Sequence, residues 1–487
     1  MRRLAGFALA LALTACGSAP PERQLVQDAA AALGGAERIQ AVSTLVLEGE
    51  GLNGAAGGSV TPDDPPNTWA ISDYVRTMDL AGGRMRIQQV RTAQFPFALA
   101  TVTRQDLRLD GDVAFGVNGE RAARASADAA RDRRLQMLSH PVVLLRAALD
   151  PAATVGNLRE ADGEALVDVT TADGHTLTLA VDAATKLPTR ISYPSYDPNW
   201  GDIVVETRLS DYQDVDGLQL PARLVTMQDQ WTMADLRMTR QAVDADAGNL
   251  EAPAEVRDAA PPSPNPVNVT VEEVGRGIWW LAGGSHHSVV FEFDDHLVLF
   301  EVPLDDARTL AVIERARSLV PDKPLTHAIV SHHHLDHAGG FRAAVSEGLT
   351  IITHRGNEAF LTDIATRPHT RGSDALAREP KPPVFQLVDD ELVLEDGTNR
   401  VQLLKAEGNI HTGLLLYAWV PRDRTLVQAD FFDVGWLQHP WGDNFIQNLT
   451  QRNLRPVRHV PIHGRIQTHD EVLATLASKP PRVPAAD

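Results

Sequence analysis

The stretch Thr326-His-Ala-Ile-Val-Ser-His-His-His-Leu-Asp-His-Ala-Gly-Gly340 constrains the fold of this chain more than any other feature. Its short apolar run ending at Val330 is typical of a buried strand that leads into a loop. The loop carries four side chains that bind metal ions, namely His332, His334, Asp336 and His337. Alternate residues of an extended segment point to the same side, so the first two histidines can converge on one ion. The pattern predicts a metal site between a strand and a helix that begins near Gly339.

Three further candidate ligands follow apolar runs later in the chain. His411 comes after the run that begins at Val401, Asp430 after Thr425-Leu-Val-Gln-Ala, and His463 after Arg458-His-Val-Pro-Ile. Imidazole nitrogen suits Zn²⁺, and a carboxylate can offer one oxygen to each of two cations. Seven candidate ligands exceed the four closed positions of a structural zinc site. The set therefore favours a catalytic metal centre.

The order His-x-His-x-Asp-His, with the three later residues, resembles the metallo-β-lactamase superfamily. This resemblance implies an α/β fold for the C-terminal part, an αββα sandwich with the metal site along one edge of the paired sheets. It also implies two Zn²⁺ ions per chain. By the same resemblance, the first ion is held by His332, His334 and His411, the second by Asp336, His337 and His463, and Asp430 bridges the two.

The expected activity is that of a metal-dependent hydrolase. A water between two Zn²⁺ ions ionises near pH ~7, which gives a bridging hydroxide as nucleophile. Asp336 is the expected catalytic residue, because its carboxylate can orient that hydroxide as well as bind metal. Antibiotic-destroying members of the superfamily lack a bridging aspartate, whereas thioesterase-like and lactonase-like relatives resemble this chain in having Asp430. The expected substrate is a small molecule with an ester, lactone, thioester or amide bond.

Two other functions are compatible with the sequence. A mononuclear iron persulfide dioxygenase resembles the same motif but uses only part of it for metal. A lipid-anchored binding protein would carry an apolar ligand in its N-terminal half and use metal only for stability. His334 counts against the flavodiiron oxygen reductases, whose similar pattern has Glu at that position. The formal charge of −19 disfavours a nucleic-acid partner, since phosphate binding requires a basic surface.

The N-terminus is typical of an exported protein. Arg2 and Arg3 precede an apolar run from Leu4 to Leu13 that is too short for a permanent membrane helix. Leu13-Thr14-Ala15-Cys16 resembles the bacterial lipobox, which implies a signal peptide over residues 1–15 and a lipid anchor on Cys16, the only cysteine. Gly17 in place of Asp favours the outer membrane, facing the periplasm. We expect no transmembrane helix in the mature chain.

The remaining sequence predicts two domains. Residues 16–248 alternate apolar and polar positions in many short runs, which predicts a β-rich, antiparallel α+β accessory domain. This part resembles the half-open barrels of periplasmic lipoprotein carriers, although a generic β-rich domain fits the pattern as well. The proline-rich segment 249–266 predicts a stiff, extended linker. Residues 267–487 are the expected hydrolase domain.

Several other residues are candidates for the substrate cleft. His286 and His287 either line it or belong to a polar turn. The aromatic side chains after the bridging aspartate form either an apolar cleft wall or simple core: Phe431, Phe432, Trp436 and Trp441. His333 alternates away from its neighbours, which places it on the surface or behind the ligands. The polar segment 366–383 is expected to lie over the site.

Overall fold

The computed structural model describes residues 19–98, 101–262, 267–432 and 442–478. Cys16, Trp436, Trp441 and part of the proline-rich segment lie outside the described residues. Within the described ranges, no helix is long and apolar enough to cross a membrane.

One antiparallel sheet of 13 strands dominates the N-terminal half. Most neighbours in the sheet are consecutive in the chain, and β1 pairs with β13 to join its two meanders in the order β6-β5-β4-β3-β2-β1-β13-β12-β11-β10-β9-β8-β7. The strands are β1 (Thr44–Ala55), β2 (Asn67–Asp79), β3 (Arg84–Ala93), β4 (Val102–Asp110), β5 (Val113–Asn118), β6 (Arg121–Arg124), β7 (Thr154–Ala161), β8 (Glu164–Thr170), β9 (Thr176–Asp182), β10 (Pro188–Asp197), β11 (Gly201–Val215), β12 (Leu218–Gln228) and β13 (Trp231–Val243).

Helices cover one face of this sheet. They are α1 (Pro21–Leu33), α2 (Ala36–Ala41), α3 (Ala127–Leu138) and α4 (Pro141–Ala148). Proline opens α1 and α4, where its missing N–H costs no hydrogen bond, and Gly34 at φ +125° ends α1. Buried residues such as Leu33, Leu144 and Leu179 form one core between helices and sheet. The expected β-rich antiparallel domain is confirmed, while its likeness to carrier half-barrels stays a prediction.

The proline-rich segment is not extended throughout. Residues Ala254–Asp258 form helix α5, with Pro253 at the position before its first turn. Val256 and Ala252 are buried against Phe115 of β5. Proline is excluded from a helix interior but not from this position, so apolar contacts with the sheet could fold the segment locally. The domain boundary itself stays a prediction.

The C-terminal half contains two facing sheets. The first has the order β14 (Thr270–Gly275), β15 (Ile278–Ala282), β16 (Ser288–Glu292), β17 (Leu297–Phe300), β18 (Leu325–Ile329), β19 (Thr350–His354) and β20 (Val384–Val388). The second has the order β21 (Glu391–Glu395), β22 (Arg400–Lys405), β23 (Leu416–Val420), β24 (Thr425–Gln428), β25 (Arg458–Pro461) and β26 (Gln467–Thr468).

Helices flank the two sheets, which completes an αββα arrangement. They are α6 (Asp306–Arg317), α7 (Leu335–Ala338), α8 (Phe341–Ser346), α9 (Glu358–Thr366), α10 (Ala375–Arg378), α11 (Gly442–Gln451) and α12 (His469–Ser478). Phe291 and Phe300 of the first sheet meet Leu403 of the second in the central core. The opposite face of the first sheet packs on α6 and α8, through residues such as Val312 and Phe341. The predicted fold class of this half is confirmed.

The two halves share an interface. Trp200, which precedes β11, is buried in the core of the first C-terminal sheet, and its ring lies edge-on to Phe360 at 5.5 Å. The segment expected to lie over the metal site contacts the N-terminal sheet here: Arg367 donates to the Trp200 carbonyl at 2.5 Å, and the Thr370 N–H donates to Asp202 at 3.1 Å. These polar residues of 366–383 therefore join the halves.

Candidate metal centre

The predicted metal ligands leave the ends of neighbouring strands. His332 and His334 follow β18, and the short helix α7 then places Asp336 and His337 one turn further on. Asp430 lies two residues after β24, and His463 lies two residues after its parallel neighbour β25. The carboxyl ends of parallel strands meet at one edge, so these loops converge. His411 joins them from the loop after β22, where Asn409 Oδ1 accepts its backbone N–H at 2.8 Å.

Two groups of side chains result, and each could hold a metal ion. The first consists of His332, His334, His411 and Asp430, and the second of His286, Asp336, His337 and His463. In each group, one ligand atom per residue lies within 4.8 Å of all the others. The structure thus brings together all seven residues singled out in the sequence, and it adds His286. Asp336 has the most exposed carboxylate of the set, with 48% of its side chain accessible.

Asp430 connects the two groups through its two oxygens. Oδ1 lies 3.1 Å from His337 Nε2 and 3.0 Å from His463 Nε2, in the second group. Oδ2 lies 2.6 Å from His411 Nε2 and 4.0 Å from His332 Nε2, in the first. One oxygen facing each group is what a carboxylate that bridges two cations requires.

The donor atoms fit a pair of divalent ions. The Nε2 atom of His332 is buried and makes no hydrogen bond to any described residue. The Nε2 atoms of His337 and His463 lie 3.0 Å apart, so their lone pairs converge when both rings are neutral there. Nitrogen from imidazole and oxygen from carboxylate are typical zinc ligands. Buried ring nitrogens without a hydrogen-bond partner are consistent with metal binding.

A buried carboxylate behind the centre orients the second group. Glu301 follows β17 with φ +80°, and it is fully buried. Its carboxylate accepts a hydrogen bond from His337 Nδ1–H at 3.1 Å, which leaves Nε2 of that ring for metal. The same carboxylate accepts the N–H and the O–H of Ser331, at 2.9 and 2.7 Å. Ser331 Oγ in turn lies 2.9 Å from His332 Nδ1. Glu301 therefore fixes the start of the ligand loop.

The N-terminal half completes the surroundings of the first group. The backbone carbonyl of Ser59 accepts a hydrogen bond from His334 Nε2–H at 2.8 Å, which leaves Nδ1 for metal. The carbonyl of Gly57 accepts the N–H of Leu335 at 3.3 Å. Gly57 has φ +76°, and a Cβ there would come within 2.6 Å of the Leu335 side chain, so only glycine fits this approach.

Phe97 covers the same group from the N-terminal half. Its ring centroid lies 4.6 Å from that of His411 and 6.1 Å from that of His334. An aromatic ring at this position excludes water from one side of the centre and offers an apolar surface to a substrate.

Burial and charge set the protonation of the ligands. Burial lowers the pKa of His332 and of His334 well below the ordinary histidine value, so both rings are neutral. Burial also acts on His337, but the carboxylates of Asp430 and Asp336 raise its pKa well above that value. Burial raises the pKa of Asp336, yet His337 and the hydrogen bond from His286 bring it well below the usual range. A metal ion held by the second group would therefore displace a proton from His337.

The other candidate residues have mixed outcomes. His286 Nε2 lies 3.1 Å from Asp336 Oδ2, in the second group, whereas His287 Nε2 lies 3.0 Å from the carbonyl of Gly464. Burial lowers the pKa of His287 to about 4. His333 is fully buried behind the ligands, edge-on to Phe360 at 5.4 Å, and not on the surface.

The two aromatic residues after Asp430 belong to the core. Phe431 and Phe432 are at most 1% exposed, and both rings pack on Phe445 of α11. They do not form a cleft wall. Phe97 lies beside the predicted ligands instead, and no sequence pattern connects it with residues so much later in the chain.

Part of this chain is similar to a known protein family and to solved structures. Residues 281–430 match the family described as the metallo-beta-lactamase superfamily. Among solved structures, a metallo-beta-lactamase from Pontibacter korlensis is 17% identical, with 43% of this chain and 98% of that chain covered and a TM-score of 0.35. One from Hirschia baltica is 17% identical, covering 44% and 99% with a TM-score of 0.34. FIM-1 from Pseudomonas aeruginosa, in its mono-zinc form, is 18% identical, covering 44% and 96% with a TM-score of 0.34. No curated protein matches the chain.

Proposed function

We propose that this chain, in which residues 281–430 belong to the metallo-β-lactamase superfamily, is a dinuclear zinc hydrolase of an ester, lactone, thioester or amide bond. The fold and the two His/Asp groups support a metal-dependent hydrolase in general. The position of Asp430 supports the proposal of two metal ions, since each of its oxygens faces a different group. The substrate is a small molecule.

The proposed ligands of the first ion are His332, His334 and His411, and those of the second are Asp336, His337 and His463, with Asp430 shared. When bound, two such ions lower the pKa of a water between them and stabilise negative charge on the carbonyl oxygen under attack.

The residues of the chain orient the attacking water and exclude solvent from one side of the centre. The Asp336 carboxylate is ionised and half-exposed, so it can accept a hydrogen bond from the attacking water and direct its lone pair. His286 holds Asp336 in place through Nε2. Phe97 and the carbonyl of Ser59 close the opposite side, over His411 and His334. Substrate then approaches from the side on which Asp336 is exposed.

We also propose that the protein acts at the outer membrane, facing the periplasm, with lipid on Cys16. The support is the sequence alone: a basic and apolar leader followed by Leu13-Thr14-Ala15-Cys16. The enzyme would then meet substrates in the periplasm.

Metal analysis followed by a panel of ester, lactone, thioester and amide substrates tests the proposal. We expect about two zinc ions per chain and hydrolysis within the panel. Asp430→Ala should reduce the content of both ions, whereas His463→Ala should reduce mainly the second. His175→Ala, in the turn between β8 and β9, is the control and should keep both. One iron per chain with oxygen-dependent turnover would contradict the hydrolase and support the persulfide dioxygenase.

A further inference from the structure

A cavity of about 540 Å³ lies between the N-terminal sheet and a helix that packs on it. Strands β1 to β4 and β10 to β13 line it, and helix α3 closes it. Its volume falls within the range of small-molecule sites, roughly 300–1,000 Å³. None of the metal ligands lines it, so it is a separate site.

Two arginines enter this cavity without a carboxylate partner. Arg76 of β2 is only 5% exposed, and its Nε–H donates to the hydroxyl of Tyr74 at 2.8 Å. Arg91 of β3 lies over the ring of Trp69, with its guanidinium carbon 4.2 Å from the ring centroid. The Nε atom of Arg91 is buried without a hydrogen-bond partner, and among the described residues neither arginine forms an ion pair.

On the other face of β3, the arginines are paired with carboxylates. Side chains alternate along a strand, so Arg84 and Arg86 point away from the cavity. Arg86 pairs with Asp106 at 2.6 Å, and Arg84 pairs with Asp110 at 2.9 Å. Charges that are removed from water are normally paired in this way. The unpaired state of Arg91, whose pKa is lowered by burial, is therefore specific to the cavity face.

The other charged residues of the lining do not neutralise these arginines. Asp132 of α3 is within 3.5 Å of Arg131, and Asp197 accepts the backbone N–H groups of Asn199 and Trp200 at 2.8 and 3.0 Å. Arg133 adds a further positive charge, although its guanidinium donates to two backbone carbonyls. The cavity thus offers donors to an anion.

Apolar side chains form much of the remaining wall. Ile87, Ile203, Leu224 and Leu236 line the cavity and are at most 6% exposed. A wall of this kind favours the burial of hydrocarbon, while Arg76 and Arg91 favour a negative group. We infer that the cavity binds a small organic anion with an apolar body, and that Arg76 and Arg91 hold its carboxylate or phosphate.

Calorimetric titration of the full chain with octanoate, octyl phosphate and octan-1-ol tests this inference. We expect one molecule of at least one anion to bind per chain, at least about tenfold more tightly than the alcohol of the same length. The tighter of the two anions identifies the head group. If neither anion binds, or if octan-1-ol binds as tightly, the inference is wrong.

Substitutions locate the binding. Arg91→Gln should weaken anion binding by about tenfold and leave octan-1-ol unchanged. Arg86→Gln, on the same strand but on the other face, is the matched control and should bind the anion like the parent protein. Circular dichroism shows whether each variant folds, and Arg76→Gln provides a second test if Arg91→Gln does not. Equal losses in Arg91→Gln and Arg86→Gln would refute the assignment. Hydrolase activity does not enter this experiment, so the two proposals fail independently.

Discussion

Replacing Glu301 with glutamine removes one acceptor from behind the metal centre and keeps the shape of the side chain. The parent carboxylate accepts three hydrogen bonds: two from Ser331 and one from His337 Nδ1–H. The hydroxyl of Ser331 can rotate to accept from the new amide. The ring N–H of His337 and the backbone N–H of Ser331 can only donate. Whichever way the amide turns, one of these two donors faces an NH₂ group.

The size of the effect follows from this lost hydrogen bond. A hydrogen bond to a charged group contributes about 1.5–3 kcal/mol, and an unpaired buried donor costs a similar amount. If the loss falls on His337, affinity for the second ion drops by roughly 10–100-fold. The first ion depends on His332, His334 and His411, of which only His332 is connected to Glu301, through Ser331, so its affinity should change less than that of the second ion.

Stepwise zinc competition with a chromogenic chelator measures both affinities. Glu292→Gln is the control, because Glu292 pairs with Lys323 at 2.6 Å and contacts none of the proposed ligands. Thermal unfolding of the metal-free variants checks that the fold is retained. If the affinities for both ions fall equally, or if neither falls, Glu301 does not act through His337.

Three further substitutions and one fragment test other parts of the molecule, and the last of them, at Cys16, rests on the sequence alone. Phe97→Ala should raise KM for an apolar substrate about tenfold, with two ions still bound, because it removes an apolar wall beside His411; steady-state kinetics and metal analysis check this. A fragment of residues 267–487 should bind the first ion at least about tenfold more weakly than the full chain in the chelator assay, because it lacks the Ser59 carbonyl. Burial lowers the pKa of His140 to about 3, so on acidification this residue takes up a proton in the unfolded chain first, near pH 6.5. The free energy of unfolding should therefore fall by about 2 kcal/mol between pH 6.5 and 5. His140→Leu should remove this decrease, as measured by urea titrations at both pH values. Cys16→Ala should release the protein from membranes on fractionation, and an intact mass without lipid on the parent protein would contradict the anchor.

The seven candidate metal ligands stand out in the sequence because their order and spacing are local and chemically distinctive. His332 to His337 lie within six residues, and Asp430 and His463 follow clear strands. The residues that hydrogen-bond to these candidate ligands could not be predicted in the same way, because they come from distant segments of the chain. Ser59 meets His334 across 275 residues, and it contributes a backbone carbonyl, which every residue type has. Glu301 offered one weak signal, an acidic residue directly after a fully apolar strand.

Alternation of apolar and polar residues indicated the β-rich half, and the apolar run ending at Val330 indicated the strand before the ligand loop, since both depend on short-range patterns. Two outcomes depend on contacts that periodicity does not show: the helix in the segment expected to be extended, and the choice between core and cleft wall that the sequence left open for Phe431. Val256 folds its proline-rich segment because Phe115 provides an apolar surface, and Phe431 joins the core because α11 covers it. Neither partner is adjacent in sequence, so the pattern alone could not distinguish core from cleft.

The hydrogen bond between His334 and Ser59 has a consequence for how the protein matures. The N-terminal half is synthesised first, but the carbonyl of Ser59 meets its partner only after the ligand loop has folded. A zinc ion on His334 would then stabilise the contact between the halves, because the ion holds the His334 ring in the orientation that donates to Ser59. Metal loading and domain docking would thus be coupled steps, and a chelator would loosen the interface as well as empty the centre.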